Sequence, residues 1–369
     1  MSGVCRRLAD IAIPFYLRSL DINIPTKSPY TCINLTTRRQ CSALLAWKRS
    51  PIFRKISTSV VVFSDETPEA IAQAVSLREF FRSLGSLVFT RRLVFYFPQH
   101  VEASCVSLLG TVSGCESLGI RSTESCFDPR TTRIPHFASR KPAGPAARHS
   151  ITSLDLSPIA FTKSFLPWTI ATLTGTPLTS LDLEDLELST SQLRHLLNDI
   201  DIPSLQDIHL PTAVPVAALS SFLRRHKSIC RLFISDSSKS RLPRTTRAVR
   251  VDNSALTRIA GPAAVLLPIL DVLQPSYVSM LTIYPDVEGL SYRDLRRVIG
   301  HSSCTKLEVL AIRLPHNAST TTLAFDPNDV DHVDLSSNIH MLFLSMGGDR
   351  LVFSDDILVS DSDILILCL

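Results

Sequence analysis

The polar pair with the clearest chemical potential is Asp207 and His209, which are two residues apart in the segment 205–210. A carboxylate beside an imidazole could orient a general base or take part in a metal site. Both roles need a third convergent group, and no His, Cys or carboxylate stands at a recognisable spacing from this pair. We therefore interpret Asp207 and His209 as polar residues of a binding surface.

Motifs of known enzymes and cofactor sites are missing from the sequence. It contains no Gly-x-Ser-x-Gly, no phosphate-binding glycine loop, no His-Glu-x-x-His and no paired Cys/His site. The nine cysteines are scattered without any Cys-x-x-Cys, a usage that favours reduced thiols over a disulfide framework. These observations predict a noncatalytic protein with no cofactor and no metal.

The elements that would position a binding surface are indicated by a recurring pattern, apolar-x-x-apolar-x-apolar. Its copies begin at Ile151, Leu178, Leu205, Ile229, Leu256, Val278, Leu307 and Ile339. The starts are separated by 27, 27, 24, 27, 22, 29 and 32 residues. A strand pattern that returns at this period is typical of stacked strand–turn–helix repeats.

Helical patterns lie between these strands. The clearest is an i, i+3, i+4, i+7 apolar face, which follows the capping residues 189–191 and consists of Leu193, Leu196, Leu197 and Ile200. Similar faces follow the strands at 205–210, 256–261 and 278–283. Pro268 is expected to restrict how far upstream the helix after 256–261 begins. The alternation predicts an α/β fold, a leucine-rich-repeat solenoid of irregular repeats of 22–32 residues. Its curved parallel sheet would lie on the concave face and its helices on the convex face.

Residues 1–150 are less regular, and we predict irregular N-terminal repeats there. Strand patterns occur at 17–22, 59–63, 84–89 and 115–120, with a helix from Thr67 to about Gly85. A basic loop is expected at 121–150 and another at 236–250. Residues 151–369 would form the more regular array, ended by an acidic C-terminal cap. About twelve strands are expected, whereas the competing α/β barrel closes after eight.

The opening segment, residues 4–22, resembles the segment that follows the F-box helices in fungal F-box/leucine-rich-repeat proteins. The likeness is a basic helix end followed by an alanine-hydrophobic-proline-hydrophobic-hydrophobic stretch, and it is carried by Arg6, Arg7, Leu8, Ala12, Pro14, Phe15 and Tyr16. The resemblance implies a receptor that binds a protein partner or a ubiquitination substrate on its repeats. The F-box motif itself is missing before Val4, and Leu186 and Ala213 replace the family's usual Asn or Cys after the strand.

The residues between the apolar strand positions would project from the concave face. The candidate partner-binding residues are Asp155, Asp182, Asp207, His209, Arg231, Phe233, Met280, Thr282, Met341 and Phe343. Aromatic and methionine side chains are enriched in the centres of interfaces, so Phe233, Met341 and Phe343 are candidate anchors. The alternative is that a loop or the C-terminal segment covers them.

Three functions remain open at this point. The first is a noncatalytic protein-recognition module, and the second is a substrate receptor of a cullin-RING ubiquitin ligase if the true N-terminus carries an F-box. The third is nucleic-acid binding through residues 1–150, which hold 20 Lys/Arg against 10 Asp/Glu. Few aromatic residues accompany these charges, so nucleic acid is the weaker expectation. No secretory signal or membrane-spanning stretch is apparent, which predicts a cytoplasmic or nuclear location.

Overall fold

A computed structural model of the chain contains thirteen strands and eight α-helices among the residues that it describes. The described residues are 8, 12, 13, 15–22, 31–47, 56–84, 87, 89–123, 151–186, 188–235, 251, 255–272, 278–284, 292–301, 304, 306–314, 341–346 and 364–368. The chain divides into two compact units, Met1–Leu188 with Asp199–Ser204, and Ser189–Asn198 with Leu205–Leu369.

The first unit is a parallel sheet whose strands follow chain order. Its strands are β1 (Thr31–Leu35), β2 (Ile56–Val62), β3 (Arg92–Phe97), β4 (Ser117–Ser122), β5 (Ser153–Leu156) and β6 (Ser180–Asp182). Helical segments connect them: α1 (Arg38–Trp47), α2 (Thr67–Leu84), α3 (Ala103–Leu109), a 3-10 turn (Pro158–Phe161) and α4 (Leu166–Gly175). Each strand pairs with the next, as parallel strands joined by crossovers do.

The second unit repeats this arrangement. Its strands are β7 (Asp207–Pro211), β8 (Arg231–Ser235), β9 (Arg258–Pro262), β10 (Met280–Tyr284), β11 (Val309–Leu314), β12 (Met341–Met346) and β13 (Ile364–Cys368). The helices are α5 (Thr190–Asp199), α6 (Val216–Arg225), α7 (Ala263–Val272) and α8 (Tyr292–Ile299). Strands β7 to β12 pair in parallel in chain order, and β13 pairs antiparallel with β12.

The predicted α/β leucine-rich-repeat solenoid is confirmed by this topology. In both units a strand is followed by a helical crossover and by a parallel neighbour, which is the repeating step of such folds. Pairing runs linearly along β1–β6 and along β7–β13, so neither unit contains the closed eight-stranded ring of the competing barrel.

A repeated hydrogen-bond pattern joins the repeats where the strands begin. The Thr152 carbonyl accepts the N–H groups of Thr179 and Ser180 at 2.7 and 3.1 Å, and the Thr257 carbonyl accepts those of Ser279 and Met280 at 2.9 and 3.1 Å. Hydroxyls reinforce the same carbonyls, because Thr179 Oγ1 donates to Thr152 O at 3.2 Å. One carbonyl thus satisfies several donors of the next repeat, which fixes the strand register.

Buried glutamines satisfy the turns after the first two strands. Gln40 accepts the N–H groups of Thr36 and Thr37 at 2.6 and 3.1 Å, while its amide nitrogen donates to Leu20 O at 2.8 Å. Gln73 accepts the Ser64 N–H at 3.0 Å and donates to Thr36 O at 2.8 Å. In both turns, the side-chain amide of a helical glutamine therefore pairs with backbone groups.

Phenylalanines fill the core of the first unit. Phe63 stacks on Phe97 with ring centroids 4.6 Å apart, and Phe97 meets Phe165 edge-on at 4.9 Å. Phe80 and Phe89 form a second edge-on pair at 4.9 Å. These rings come from β3, the helices and the loops beside them, so burial of their large apolar area holds strand and crossover together.

The predicted helices of the regular repeats are present. Ser189 and Gln192 form a capping box at the start of α5, in which Ser189 Oγ accepts the Gln192 N–H at 3.3 Å and Gln192 Oε1 accepts the Ser189 N–H at 2.9 Å. The expected limit at Pro268 is wrong, because α7 begins at Ala263 and contains Pro268. The expected basic loop at 236–250 lies outside the described residues. Of the expected acidic C-terminal cap, the structure describes only β12 and β13.

Two N-terminal strand predictions are wrong. Residues 15–18 are helical, and a turn through Asp21, with φ of 57°, brings the Ile22 N–H to Leu17 O at 2.9 Å, so both apolar side chains face inward. The pattern at 84–89 also failed, because Leu84 ends α2 and the strand starts only at Arg92. The strand predictions near 59–63 and 115–120 are confirmed by β2 and β4.

The six cysteines whose side chains the structure describes are unpaired thiols. Burial raises the pKa of Cys115 and Cys304 to about 12, and burial together with the nearby Glu69 carboxylate does the same for Cys41. These three thiols therefore stay protonated at neutral pH and act as small apolar core residues.

Candidate functional site

In each unit, alternate strand residues point to opposite sides of the sheet. One side carries the buried Leu, Ile and Phe residues of the core, and we call the other side the strand face. In the first unit the strand face holds Thr58, Val60, Val62, Arg92, Val94, Tyr96, Ser117, Gly119, Arg121, Ser153, Asp155, Ser180 and Asp182.

A buried carboxylate binds two arginines on the strand face of the first unit. Asp155 on β5 is only 5% exposed, and its Oδ2 atom accepts hydrogen bonds from Arg92 Nη2 at 3.1 Å and from Arg121 Nη2 and Nε at 2.8 and 3.2 Å. Arg121 also contacts Asp185, with Nη1 and Oδ2 3.1 Å apart. The cluster joins β3, β4, β5 and the turn after β6 through charge-assisted bonds.

Gly119 makes room for this cluster. It stands between Val94 and Asp155 in the register of β3, β4 and β5. A Cβ atom at Gly119 would approach the Val94 methyl groups to 3.1 and 3.2 Å and Asp155 Oδ2 to 3.5 Å. The missing side chain lets Arg92 cross from β3 over β4 to a carboxylate two strands away.

The charge of Arg121 is secured by its neighbours. Burial disfavours the guanidinium charge, but the adjacent Asp155 carboxylate, its hydrogen bond and the Asp185 carboxylate outweigh that effect and raise the pKa of Arg121. Arg121 is therefore a permanently charged and well-ordered part of the strand face.

On the strand face of the second unit, Asp207 pairs with Arg231. The two are opposite each other on β7 and β8, and Arg231 Nε and Nη2 each contact a different oxygen of the carboxylate. This two-pronged geometry engages both Asp207 oxygens and orients the Arg231 guanidinium.

Two residues further along the same strands, His209 packs against Phe233. Their ring centroids are 4.3 Å apart with an interplanar angle of 31°. Both residues are partly exposed, as are Met280 and Tyr284 on β10. The strand face of the second unit thus offers aromatic and methionine side chains beside an ordered arginine.

Other positions of this face are covered. Thr282, Ala260 and Ala311 follow Phe233 in register on β10, β9 and β11, yet Thr282 is 2% exposed and the two alanines are buried. At this level of the described strands, the accessible residues are therefore His209 on β7 and Phe233 on β8. Met341 and Phe343 belong to β12 and lie opposite Val309 and Ala311 of β11. The structure does not describe their side chains.

The remaining candidate of the first unit is Asp182. It ends β6 opposite Asp155, is partly exposed, and its Oδ1 accepts the Glu184 N–H at 3.0 Å. This bond closes the turn after the strand, so Asp182 has a local structural role beside its place on the strand face.

Sequence reasoning missed Arg92, Tyr96, Gly119, Arg121 and Asp185 as members of the surface. Arg92 and Tyr96 were not identified because the strand was expected at 84–89. Arg121 was not identified because a loop was expected to start at that residue. The alternation Arg92-Leu-Val-Phe-Tyr-Phe97 was the available signal for β3. Nothing local marks the ion pairs, which join residues 34 and 63 positions apart.

No helix in the described part of the chain is long and apolar enough to cross a membrane. No protein-family model and no curated protein matches the sequence. Among solved structures, the chain is similar to the leucine-rich repeat-containing protein LegL7 from Legionella pneumophila. The TM-score is 0.41 and the sequence identity 16%, with 77% of this chain and 82% of that chain covered.

Proposed function

We propose that this chain is a noncatalytic protein-recognition module that binds a partner through the strand faces of its repeats. The observation that carries the proposal is the partly exposed Phe233 ring in the middle of β8, which packs on His209 with ring centroids 4.3 Å apart. An aromatic ring held by a neighbour binds with little loss of conformational entropy, and such residues dominate interface energies.

The charged residues beside Phe233 support the same function. Arg231 is held in place by Asp207, so its guanidinium is oriented before a partner arrives. An ordered arginine next to an exposed aromatic residue is the composition of an interface centre, where the aromatic ring contributes affinity and the charge contributes specificity. The strands that carry them are paired in parallel, which makes the surface rigid.

A second candidate, the ubiquitin-ligase substrate receptor, rests on the opening segment. Leu8, Phe15 and Tyr16, which carry part of the F-box-family resemblance, are 60%, 65% and 49% exposed. Exposed apolar side chains of this size favour a segment that packs on them. A blot for the ligase adaptor after native purification of the chain tests this function, and absence of the adaptor contradicts it.

The test of the first proposal is capture of partners from native cells by the wild-type chain and by Phe233→Ala. We expect a stoichiometric partner whose recovery falls about tenfold or more with Phe233→Ala, since a central aromatic anchor contributes at least about 2 kcal/mol. Lys227→Ala is the matched control, because Lys227 is exposed just after α6 and away from the strands. Equal recovery with both variants would remove the proposal.

A further inference from the structure

The proposed function leaves one feature of the first unit unused, which is the incomplete pairing of Arg92. A guanidinium carries five N–H donors, and among the described residues Arg92 commits only Nη2, to Asp155 Oδ2 at 3.1 Å. Arg121 by contrast uses Nε, Nη1 and Nη2 in contacts with Asp155 and Asp185. The Arg92 side chain is 43% exposed, so an oriented, accessible cation remains on the strand face.

A row of hydroxyl groups continues from Arg92 across the next strands. Ser117 on β4, Ser153 on β5 and Ser180 on β6 stand in register with Arg92. All three are partly exposed, and within the described part of the chain their hydroxyls form no hydrogen bond to another residue. We call Arg92 and these three serines the Arg–Ser row.

The spacing of the Arg–Ser row matches an extended peptide that crosses the strands. Adjacent strands are about 4.8 Å apart, so the row spans about 14 Å, and an extended chain covers that length in about four residues. Each hydroxyl can donate to a peptide carbonyl or accept from a peptide N–H. Arg92, at one end, can bind an anionic group with its remaining N–H donors.

We infer that the Arg–Ser row binds an extended segment of a partner protein and receives one Asp or Glu carboxylate on Arg92. The inference rests on the proposed function only in taking the strand face as the recognition surface. One incompletely paired arginine fits a single negative charge, whereas recognition of a phosphate dianion typically uses a cluster of arginines. Asp155 holds the guanidinium in place, so little entropy is lost when the carboxylate binds.

The probe for this inference is a library of random dodecapeptides displayed on phage and selected on the full chain. We expect selected sequences to contain a recurrent Asp or Glu. A synthetic peptide of that sequence should lose about ten- to hundredfold in affinity with Arg92→Ala, and similarly when its acidic residue becomes the amide, because a charge-assisted hydrogen bond is lost in both cases. The two changes together should cost little more than either alone.

Arg91→Ala is the matched control, because Arg91 precedes Arg92 and its side chain is 80% exposed, with Nε 3.6 Å from the carboxylate of the exposed Glu116. We expect it to leave peptide affinity unchanged. Arg92→Lys keeps the charge but lacks the planar fork, so an intermediate affinity is expected, and it covers the case in which Arg92→Ala does not fold.

Three outcomes overturn the inference. They are a selection without acidic enrichment, an equal loss with Arg91→Ala, and a phosphoserine peptide that binds where the carboxylate peptide does not. Phe233→Ala, which lies in the other unit, should not change peptide affinity. Failure of the Arg–Ser row is therefore distinguishable from failure of the Phe233 surface.

Discussion

At the residue scale, the strand faces are organised by carboxylates that hold arginines. Asp155 orders Arg92 and Arg121, and Asp207 orders Arg231. The sequence identified Asp155, Asp207 and Arg231 as surface residues because the apolar pattern places them between core positions. It did not reveal that the two aspartates point at arginines, since partners in parallel strands are separated by a whole repeat or more.

Removing the charge of Asp155 should destabilise the first unit. In Asp155→Asn the side chain keeps its size, but Arg92 and Arg121 lose the buried anion that compensates them. We expect a loss of about 1–3 kcal/mol in the free energy of unfolding, measured as a lower urea midpoint with an unchanged slope. Arg121 keeps Asp185 as a partner, which limits the loss.

The control for this change is Glu116→Gln, which removes a carboxylate 3.6 Å from Arg91 where both side chains are exposed. An exposed ion pair contributes about 0–1 kcal/mol, so the urea midpoint should hardly move. Equal effects of the two substitutions would mean that the Asp155 cluster does not stabilise the unit.

At the element scale, the regular repeats were predictable and the N-terminal ones only in part. Between residues 151 and 299 the strand and helix patterns repeat in phase, so each supports the other. Before them, the residues at 84–89 match the strand pattern without forming a strand. Leu84 completes the buried face of α2, and Leu87 is exposed. Apolar spacing alone does not distinguish these cases, since the deciding contacts are tertiary.

The turns show a second limit of local patterns. The sequence does not indicate which side chains pair with the backbone groups of the turns. In β1 and β2 the answer is a glutamine of the following helix, Gln40 or Gln73. Glutamine is mostly a solvent-exposed residue in proteins, so the sequence does not indicate that these two glutamines are buried.

Gln73 should therefore be needed for its polarity rather than its volume. Gln73→Ala and Gln73→Leu both leave the Ser64 N–H and the Thr36 carbonyl without this partner. We expect each to lower the free energy of unfolding by about 1–3 kcal/mol, measured by urea denaturation, because two part-buried hydrogen bonds to the backbone are lost. Recovery of wild-type stability by the similarly sized leucine would show that packing alone matters.

At the scale of the whole molecule, the chain is a series of similar steps in which contacts join neighbouring repeats. The strand-start carbonyls, the in-register strands and the helical crossovers all connect one repeat to the next. Stability in such an array is close to a sum of repeat and nearest-neighbour terms, so damage should remain local. A conventional globular core would instead distribute the loss over the whole unit.

Substitution of one core leucine distinguishes these behaviours. Leu118 is fully buried in β4, and Leu118→Ala should cost about 2–5 kcal/mol through lost burial and the remaining cavity. Hydrogen exchange followed by mass spectrometry should show the largest loss of protection in β4 and in its two pairing partners, β3 and β5. A smaller loss is expected in β1. Ser117→Ala, on the strand face one residue earlier, should leave protection unchanged. A uniform loss from β1 to β6 would mean that the first unit unfolds as one cooperative body, and its strand face could not then be altered repeat by repeat.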